Sequence, residues 1–422
     1  ASDVYKRQTT TSPPEATPVP TSRPPSGPGV WMKKNLFSTW YNSLLTVVFG
    51  AFILWAVYSL VMYLLHIDTE IIVVNLRLYM TGRFPAEQFW RLWAAVFVTT
   101  AGVGFFARTI VRNGRRKAAE AGLEFERSSW QDVVRRFWPI GALVLFTLSF
   151  TRTFTPALLT LVALVIGIAA YWIGGMLPVW IVSRSWLIPL VGTLLFYVVL
   201  AAFGGVGWDL WQGFFVNIVL TIAGISLAFP LGLMLALGRR STLPAVRLLS
   251  VTYIEFLRGV PMITLLLMGA FALGFLIPGD VQFSLFLRLL IAITLFQSAY
   301  IAEVVRGGLQ SVPKGQVEAA QSVGLSPWKT MRLVVLPQAL RNVIPAMVGQ
   351  FISLFKDTTL VFIVGLLDLL RAVQISTAQP EFFAQGLEAV VLPFAALYFW
   401  VGSFVMSRES RRLEKKLGVG VR

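Results

Sequence analysis

Residues 318–337 read EAAQSVGLSPWKTMRLVVLP, a polar interruption in an otherwise apolar chain. Ser326 before Pro327 is a favoured N-cap followed by a favoured first helical residue. Gly324 supplies the positive φ that a turn needs after a short helix. Ala319 and Ala320 are small, strong helix formers that let another surface approach closely. Glu318 would complement the dipole of a short helix if it lies early in it. Pro337 lacks a donor and clashes with the preceding turn, so it is expected to end the second helix. The stretch therefore predicts helix, turn, helix.

The surroundings decide what kind of protein carries it. Of 422 residues, 56% are hydrophobic and only 13% charged, which describes a polytopic membrane protein and not a globular domain. That excludes a soluble DNA-binding helix-turn-helix, because apolar spans flank the loop on both sides. The net charge of +16 points to no nucleic acid, since the basic residues stand in short loops beside apolar runs, where they act as cytoplasmic topology signals. There is no cysteine, so no disulfide, thiolate chemistry or Cys-ligated metal follows, and no metal site is expected. The one histidine, His66, ends an apolar run and reads as an interfacial side chain.

Residues 1–35 are rich in Pro, Thr and Ser without apolar periodicity and are expected to be a disordered tail. The opening DVYKRQ matches the translation of a transposon end used in sequencing libraries, so the first eight residues are expected to be an assembly artefact, with the true start missing. No signal peptide is visible. Spans are expected at 42–65, 89–111, 137–151, 156–178 and 186–206, forming an accessory region over 36–206. The stretch between the first two, with only Arg77 and Arg83 as cations, reads as a loop of roughly twenty residues. A basic segment that includes Arg112, Arg115, Arg116, Arg135 and Arg136 places the chain inside after the second span. A second set follows at 213–238, 257–277, 283–305, 342–364 and 387–407, making a core over 207–410. A basic tail, 411–422, places the C-terminus in the cytoplasm, and about ten spans put both termini there.

The spacing of Glu318, Ala319, Ala320, Gly324, Leu336 and Pro337 resembles the EAA loop of ATP-binding-cassette (ABC) transporter permeases. In that family the loop is a cytoplasmic helix-turn-helix resting in a groove of the ATPase subunit, so the resemblance implies that these six residues couple to ATP hydrolysis. The segments IEFLRGVPMITLLLM (254–268), YIAEVVRGGLQSVPKGQVEAAQSVGLSPWKTMRLVVLPQALRNVIPAM (300–347) and FISLFKDTTLVFIVG (351–365) are similar to the amino-acid-importing branch. The five preceding spans resemble, more weakly, the N-terminal extension of one permease of the general L-amino-acid transporters of Gram-negative bacteria. The resemblance implies an all-α polytopic protein of the inner membrane whose last five spans are a type I ABC importer core. It further implies as partners an ATPase dimer, a second, non-identical permease, a periplasmic amino-acid-binding protein and the lipid bilayer.

No G-x-x-x-x-G-K-[ST] stretch is present, so the chain is not expected to be an enzyme; ATP and Mg would be held by the partner ATPase. Lys356, Asp357, Thr358 and Thr359 fall midway along an apolar stretch, where ionisable groups pair or line a water-filled path. An ammonium and a carboxylate at that depth suit the zwitterionic backbone of an amino acid, and local unwinding would let the two approach. The bland alternative is a structural pair facing another helix. Glu255 and Arg258, three apart, are candidates for an i,i+3 pair, with Gly259 and Pro261 setting a break between a cytoplasmic helix and the span. Glu303 and Arg306 read as interfacial anchors, and Asp368 and Arg371 as one face of a periplasmic surface helix. The rival readings are an ion-driven secondary transporter or channel, in which the loop spacing is coincidence, and an integral membrane enzyme, which lacks clustered ligands. Within the ABC reading, opines or methionine remain open as cargo.

Overall fold

The computed structural model describes residues 27–66, 68–120, 122, 130–176, 205–273, 283–383 and 386–418. Among these the chain is helical, apart from one isolated parallel bridge between Gly213 and Asp368. Seven helices are long and apolar enough to cross a membrane, and a bent helix pair makes eight. Nearly all of the expected fifth span (186–206) and most of the artefact-like, Pro-rich tail lie outside the described residues. The chain divides into 1–68 and 69–422.

In the first unit, α1 (Pro28–Asn35) occupies the end of the stretch expected to be disordered; Pro28 suits a first helical position. Then α2 (Trp40–His66) follows, and Thr46 Oγ1 donates to the Leu36 carbonyl at 2.7 Å. Leu44, Val47, Phe49, Leu54 and Trp55 are exposed along α2, as on a helix surrounded by lipid. The side chain of His66 lies outside the described residues.

The second unit opens with a helix where a loop was expected. α3 (Glu70–Thr81) buries Ile71, Ile72, Asn75 and Tyr79, one stripe at helical spacing. α4 (Phe89–Glu120) and α6 (Thr155–Ile173) pack where Gly104 lies against the Gly167 backbone, and α5 (Trp130–Ser149) precedes α6. α7 (Gly213–Arg239) and α10 (Leu285–Ser311) form the central pair. They come close at Gly232, where an added Cβ would stand 2.7 Å from the Ser298 carbonyl oxygen. Two apolar layers surround the pair. One gathers Trp211, Val216, Leu220, Phe286, Leu289 and Leu354; the other gathers Ala236, Ile254, Ile301, Val305, Ala339 and Val343.

Between α7 and α10 the helix breaks at Gly259–Pro261, where the sequence placed a break. α8 (Pro244–Gly259) stops, Val260 is extended, and α9 (Met262–Leu267) leaves at a bend of 104°. Pro261 disfavours helical backbone at Val260 before it, so the break falls there. α9 continues as a π-turn over Met268–Ala272, and Arg288 Nη1 donates to the Ala270 carbonyl at 2.6 Å. After α10 come α11 (Lys314–Ser322), α12 (Pro327–Thr330), a π-turn (Met331–Val335) and α13 (Leu336–Asp357). Pro337 does not end the second helix as expected. It has no N–H for the preceding turn, and the backbone widens into the π-turn, with the Leu336 N–H donating to the Met331 carbonyl, so the helix runs on into α13. A 3₁₀ segment (Thr358–Val364), α14 (Leu369–Thr377) and α15 (Glu388–Leu417) complete the unit.

The helices of residues 70–149 are held to the last two by polar contacts. Asn75 and Gln379 exchange both amide hydrogen bonds, at 3.0 and 2.8 Å. The Tyr79 hydroxyl meets Ser376 Oγ at 2.7 Å and the Thr147 hydroxyl meets Tyr398 at 2.6 Å, while Arg136 pairs with Glu409.

Candidate functional site

The loop is closed by backbone geometry that its own sequence favours. The Leu325 N–H donates to the Ala320 carbonyl (3.2 Å) and the Gly324 N–H to the Gln321 carbonyl (2.9 Å). Those two bonds are a Schellman motif, with Gly324 at φ +84° in its left-handed position. Ser326 Oγ then caps α12 by accepting from the Lys329 N–H at 3.4 Å. Ala319 is exposed, whereas Ala320 is buried. Glu318 is exposed but fifth in α11, outside the first turn, which removes the expected dipole argument. Sequence reasoning missed the apolar surface here: Val323 is 75% and Trp328 67% exposed on an otherwise polar loop. Leu336 is half-buried and Pro337 exposed, past the π-turn.

At the same end of α7, α8 and α10, five charged side chains meet. Glu255 and Arg258 do not pair with each other as expected. Glu255 pairs with Arg239 at 2.8 Å, and Arg258 reaches Glu303 at 3.6 Å. Arg306 grips both oxygens of Glu303 through Nε, at 2.9 and 3.0 Å, and Arg239 approaches it at 3.7 Å. For Glu255 and Arg258 the neighbouring helices offer better-placed partners than their own helix face does, while Glu303 and Arg306 pair along α10. Side-chain exposures of 24–54% make these pairs modest in energy. Their geometric effect is larger, because one carboxylate, Glu303, ties three helix ends beside the Gly259–Pro261 break.

The segment 356–359 sits where α13 tightens into the 3₁₀ turn. Lys356 is exposed and Asp357 half-buried, and among the described residues they form no ion pair; Ser353 Oγ donates to Asp357 at 3.2 Å instead. Thr359 is half-buried and donates to the Lys356 carbonyl. Thr358 is fully buried and accepts from Asn217 Nδ2 at 3.1 Å. Asp368, expected on a surface, is also fully buried and caps α14, accepting from the N–H groups of Arg371 (2.9 Å) and Leu370 (3.2 Å). Burial pushes its carboxyl up to about 6, against the pull of those hydrogen bonds and of Asn217. Asn217, which sequence reasoning did not single out, carried one signal, an amide five residues into an apolar span.

The family described as binding-protein-dependent transport system inner membrane component matches residues 228–419. The inner membrane amino-acid ABC transporter permease protein YhdY of Escherichia coli (strain K12) is 37% identical over 406 residues, 96% of this chain and 96% of its own length. The glutamate/glutamine/aspartate/asparagine transport system permease protein BztC of Rhodobacter capsulatus is 36% identical over 421 residues, 92% of this chain and 93% of its own. A probable glutamine ABC transporter permease protein, GlnP of Bacillus subtilis, is 35% identical over 205 residues, which is 49% of this chain but 92% of its own length. Similarity that runs the length of two such proteins cannot arise from the loop alone: the chain belongs to the amino-acid ABC transporter permeases, inner membrane components of binding-protein-dependent transport systems.

Proposed function

We propose that this chain is the membrane-spanning subunit of an ATP-driven importer that carries polar L-amino acids into the cytoplasm by alternating access. The observation that carries this reading is the loop at 314–330, a rigid helix-turn-helix whose exposed Val323 and Trp328 offer apolar area that a polar loop does not otherwise present. An ATPase dimer holding ATP and Mg docks there through Glu318, Ala319 and Gly324, with Ala320, Leu336 and Pro337 shaping the loop. ATP-driven closure of that dimer turns the loop, and the cluster at Glu255, Arg258, Gly259 and Pro261 passes the motion to the helix ends. Lys356, Asp357 and Thr359 line the path of the amino acid, with Thr358 behind them. A periplasmic binding protein delivers the substrate, and a second, non-identical permease completes the pore. Both termini face the cytoplasm. Residues 207–410 are the transport core and 36–206 an accessory region, a division supported by relatives that match only half of this chain yet nearly all of themselves.

The test is co-purification from detergent of this chain expressed with its neighbouring genes, with ATPase activity measured on adding the binding protein and an amino-acid mixture. A bound ATPase that the loaded receptor stimulates supports the reading. Transport of radiolabelled amino acids by a complex without any ATPase would replace it with an ion-driven carrier.

A further inference from the structure

Three separate parts of the chain meet on one side chain at the start of α7. Asn217 is fully buried and spends both of its amide donors and its carbonyl oxygen on residues more than a hundred positions away. Its Nδ2 donates to Thr358 Oγ1 (3.1 Å) and to Asp368 Oδ2 (3.4 Å), and its Oδ1 accepts from the Leu369 N–H (3.1 Å). Beside it, the Gly213 N–H donates to the Leu367 carbonyl at 2.7 Å, so the backbone of α7 is docked onto the same corner. Thr358 completes the link by donating to the Phe355 carbonyl at 2.7 Å. The amide therefore joins the first turns of α7, the junction between α13 and its 3₁₀ extension, and the cap of α14.

That junction is also where Lys356, Asp357 and Thr359 emerge. Thr358 points into the protein while its neighbours are exposed or half-buried. A 3₁₀ turn has poorer hydrogen-bond geometry than an α-helix, and this one, at 7 residues, is longer than such turns usually run. Pinning Thr358 fixes the rotation of the backbone on both sides of it, and thus the direction in which the ammonium and carboxylate are presented. A buried amide with all its groups paired is suited to this, because each alternative register leaves a polar group unpaired.

We propose that Asn217, acting through Thr358, is a positioning residue that sets the register of the 356–359 segment for the passing amino acid. This rests on the reading of that segment as part of the translocation path.

The chain has no cysteine, so a Thr359→Cys reporter in the assembled transporter gives the only labelling signal on this subunit. The reporter is treated with a polar methanethiosulfonate reagent, alone and with Asn217→Ala or Thr358→Val. Uptake of radiolabelled L-glutamine and L-glutamate is measured in parallel, without the reporter and per folded complex. Both variants should change the labelling rate and lower uptake about tenfold, the scale of leaving a buried polar group unpaired. The double variant should be no worse than the poorer single one, and Thr358→Ser, which keeps the hydroxyl, should transport normally. Thr358→Val alters one atom, so it remains informative should Asn217→Ala fail to fold. Unchanged labelling, or uptake that falls only with the amount of folded complex, would overturn the proposal. Lys356→Met and Asp357→Asn separate its failure from that of the path reading. Normal uptake in both discards the path itself, whereas loss of uptake in both with normal Thr358→Val discards only the positioning role.

Discussion

Gly324 offers a test in which backbone strain and side-chain size predict opposite orders. Its φ of +84° is the left-handed position of the Schellman turn, and a Cβ built there meets nothing within 4 Å. Sterics inside the chain therefore contribute nothing to a substitution, and the penalty is the intrinsic one for an L-residue in that conformation, about 1–2 kcal/mol. Alanine should sit near 1 kcal/mol and β-branched valine near 2, while asparagine, which tolerates this region, should lose only a few tenths. At about 1.4 kcal/mol per tenfold, the docking-competent turn loses about fivefold in population for Gly324→Ala and over tenfold for Gly324→Val, and less than twofold for Gly324→Asn. The assay is a titration of the partner ATPase onto the permease in nanodiscs, with thermal melting as a control that should barely move, since Gly324 is exposed and belongs to neither apolar layer. Weakening in the order Val, Ala, Asn supports a conformational requirement. If asparagine, the larger side chain, weakens docking more than alanine does, then the ATPase surface rejects any side chain at 324 and the strain argument is wrong.

Two further outcomes follow from the same coordinates. Gly232→Ala puts a Cβ 2.6 Å from Ile301 Cγ2 and 2.7 Å from the Ser298 carbonyl oxygen. Overpacking of about 1–3 kcal/mol then outweighs the gain of about 1 kcal/mol in helix propensity, whereas Gly102→Ala, with nothing within 4 Å, should be neutral or stabilising. Intrinsic fluorescence from the 14 tryptophans should show a lower Tm only for Gly232→Ala, and equal melting would refute the close approach of α7 and α10. Asp368, raised from 3.8 to about 6, binds its proton more tightly folded than unfolded, so its contribution is complete below pH 4 and is lost as pH rises to about 6. Relative to Asp368→Asn, the wild type should lose stability over that window, on the order of 3 kcal/mol for a shift of about two units, and then run parallel above pH 7. A constant difference from pH 4 to pH 7 would mean that the carboxyl is not raised.

What the sequence disclosed and what it withheld divide along the range of the forces involved. Most of the spans were legible because each long apolar run answers to the thickness of the bilayer, a constraint local to its own residues, whereas α5, over the span expected at 137–151, is not among the helices apolar and long enough to cross. The loop turn was legible for the same reason: Gly324 and Ser326-Pro327 state their backbone geometry without reference to the rest of the chain. Pro337 shows the limit of local reading, since a missing N–H permits either an end or a π-turn, and the packing of Val335 and Ala339 into the core selects the second. α3 had its signal in Ile71, Ile72, Asn75 and Tyr79, but a stripe on twelve residues marks a helix only once a surface exists to receive it. Asp368 and Glu255 were misplaced because the partners that decide their surroundings, Asn217 and Arg239, are 151 and 16 positions away. Charged and amide groups in an apolar bundle are thus where a one-dimensional reading fails first, because burying them is tolerated only when a distant partner arrives. That same dependence makes them the points at which separate helices are held in a common register, and it is why the joint at Asn217, Thr358 and Asp368 is the place to look for control of the path beside it.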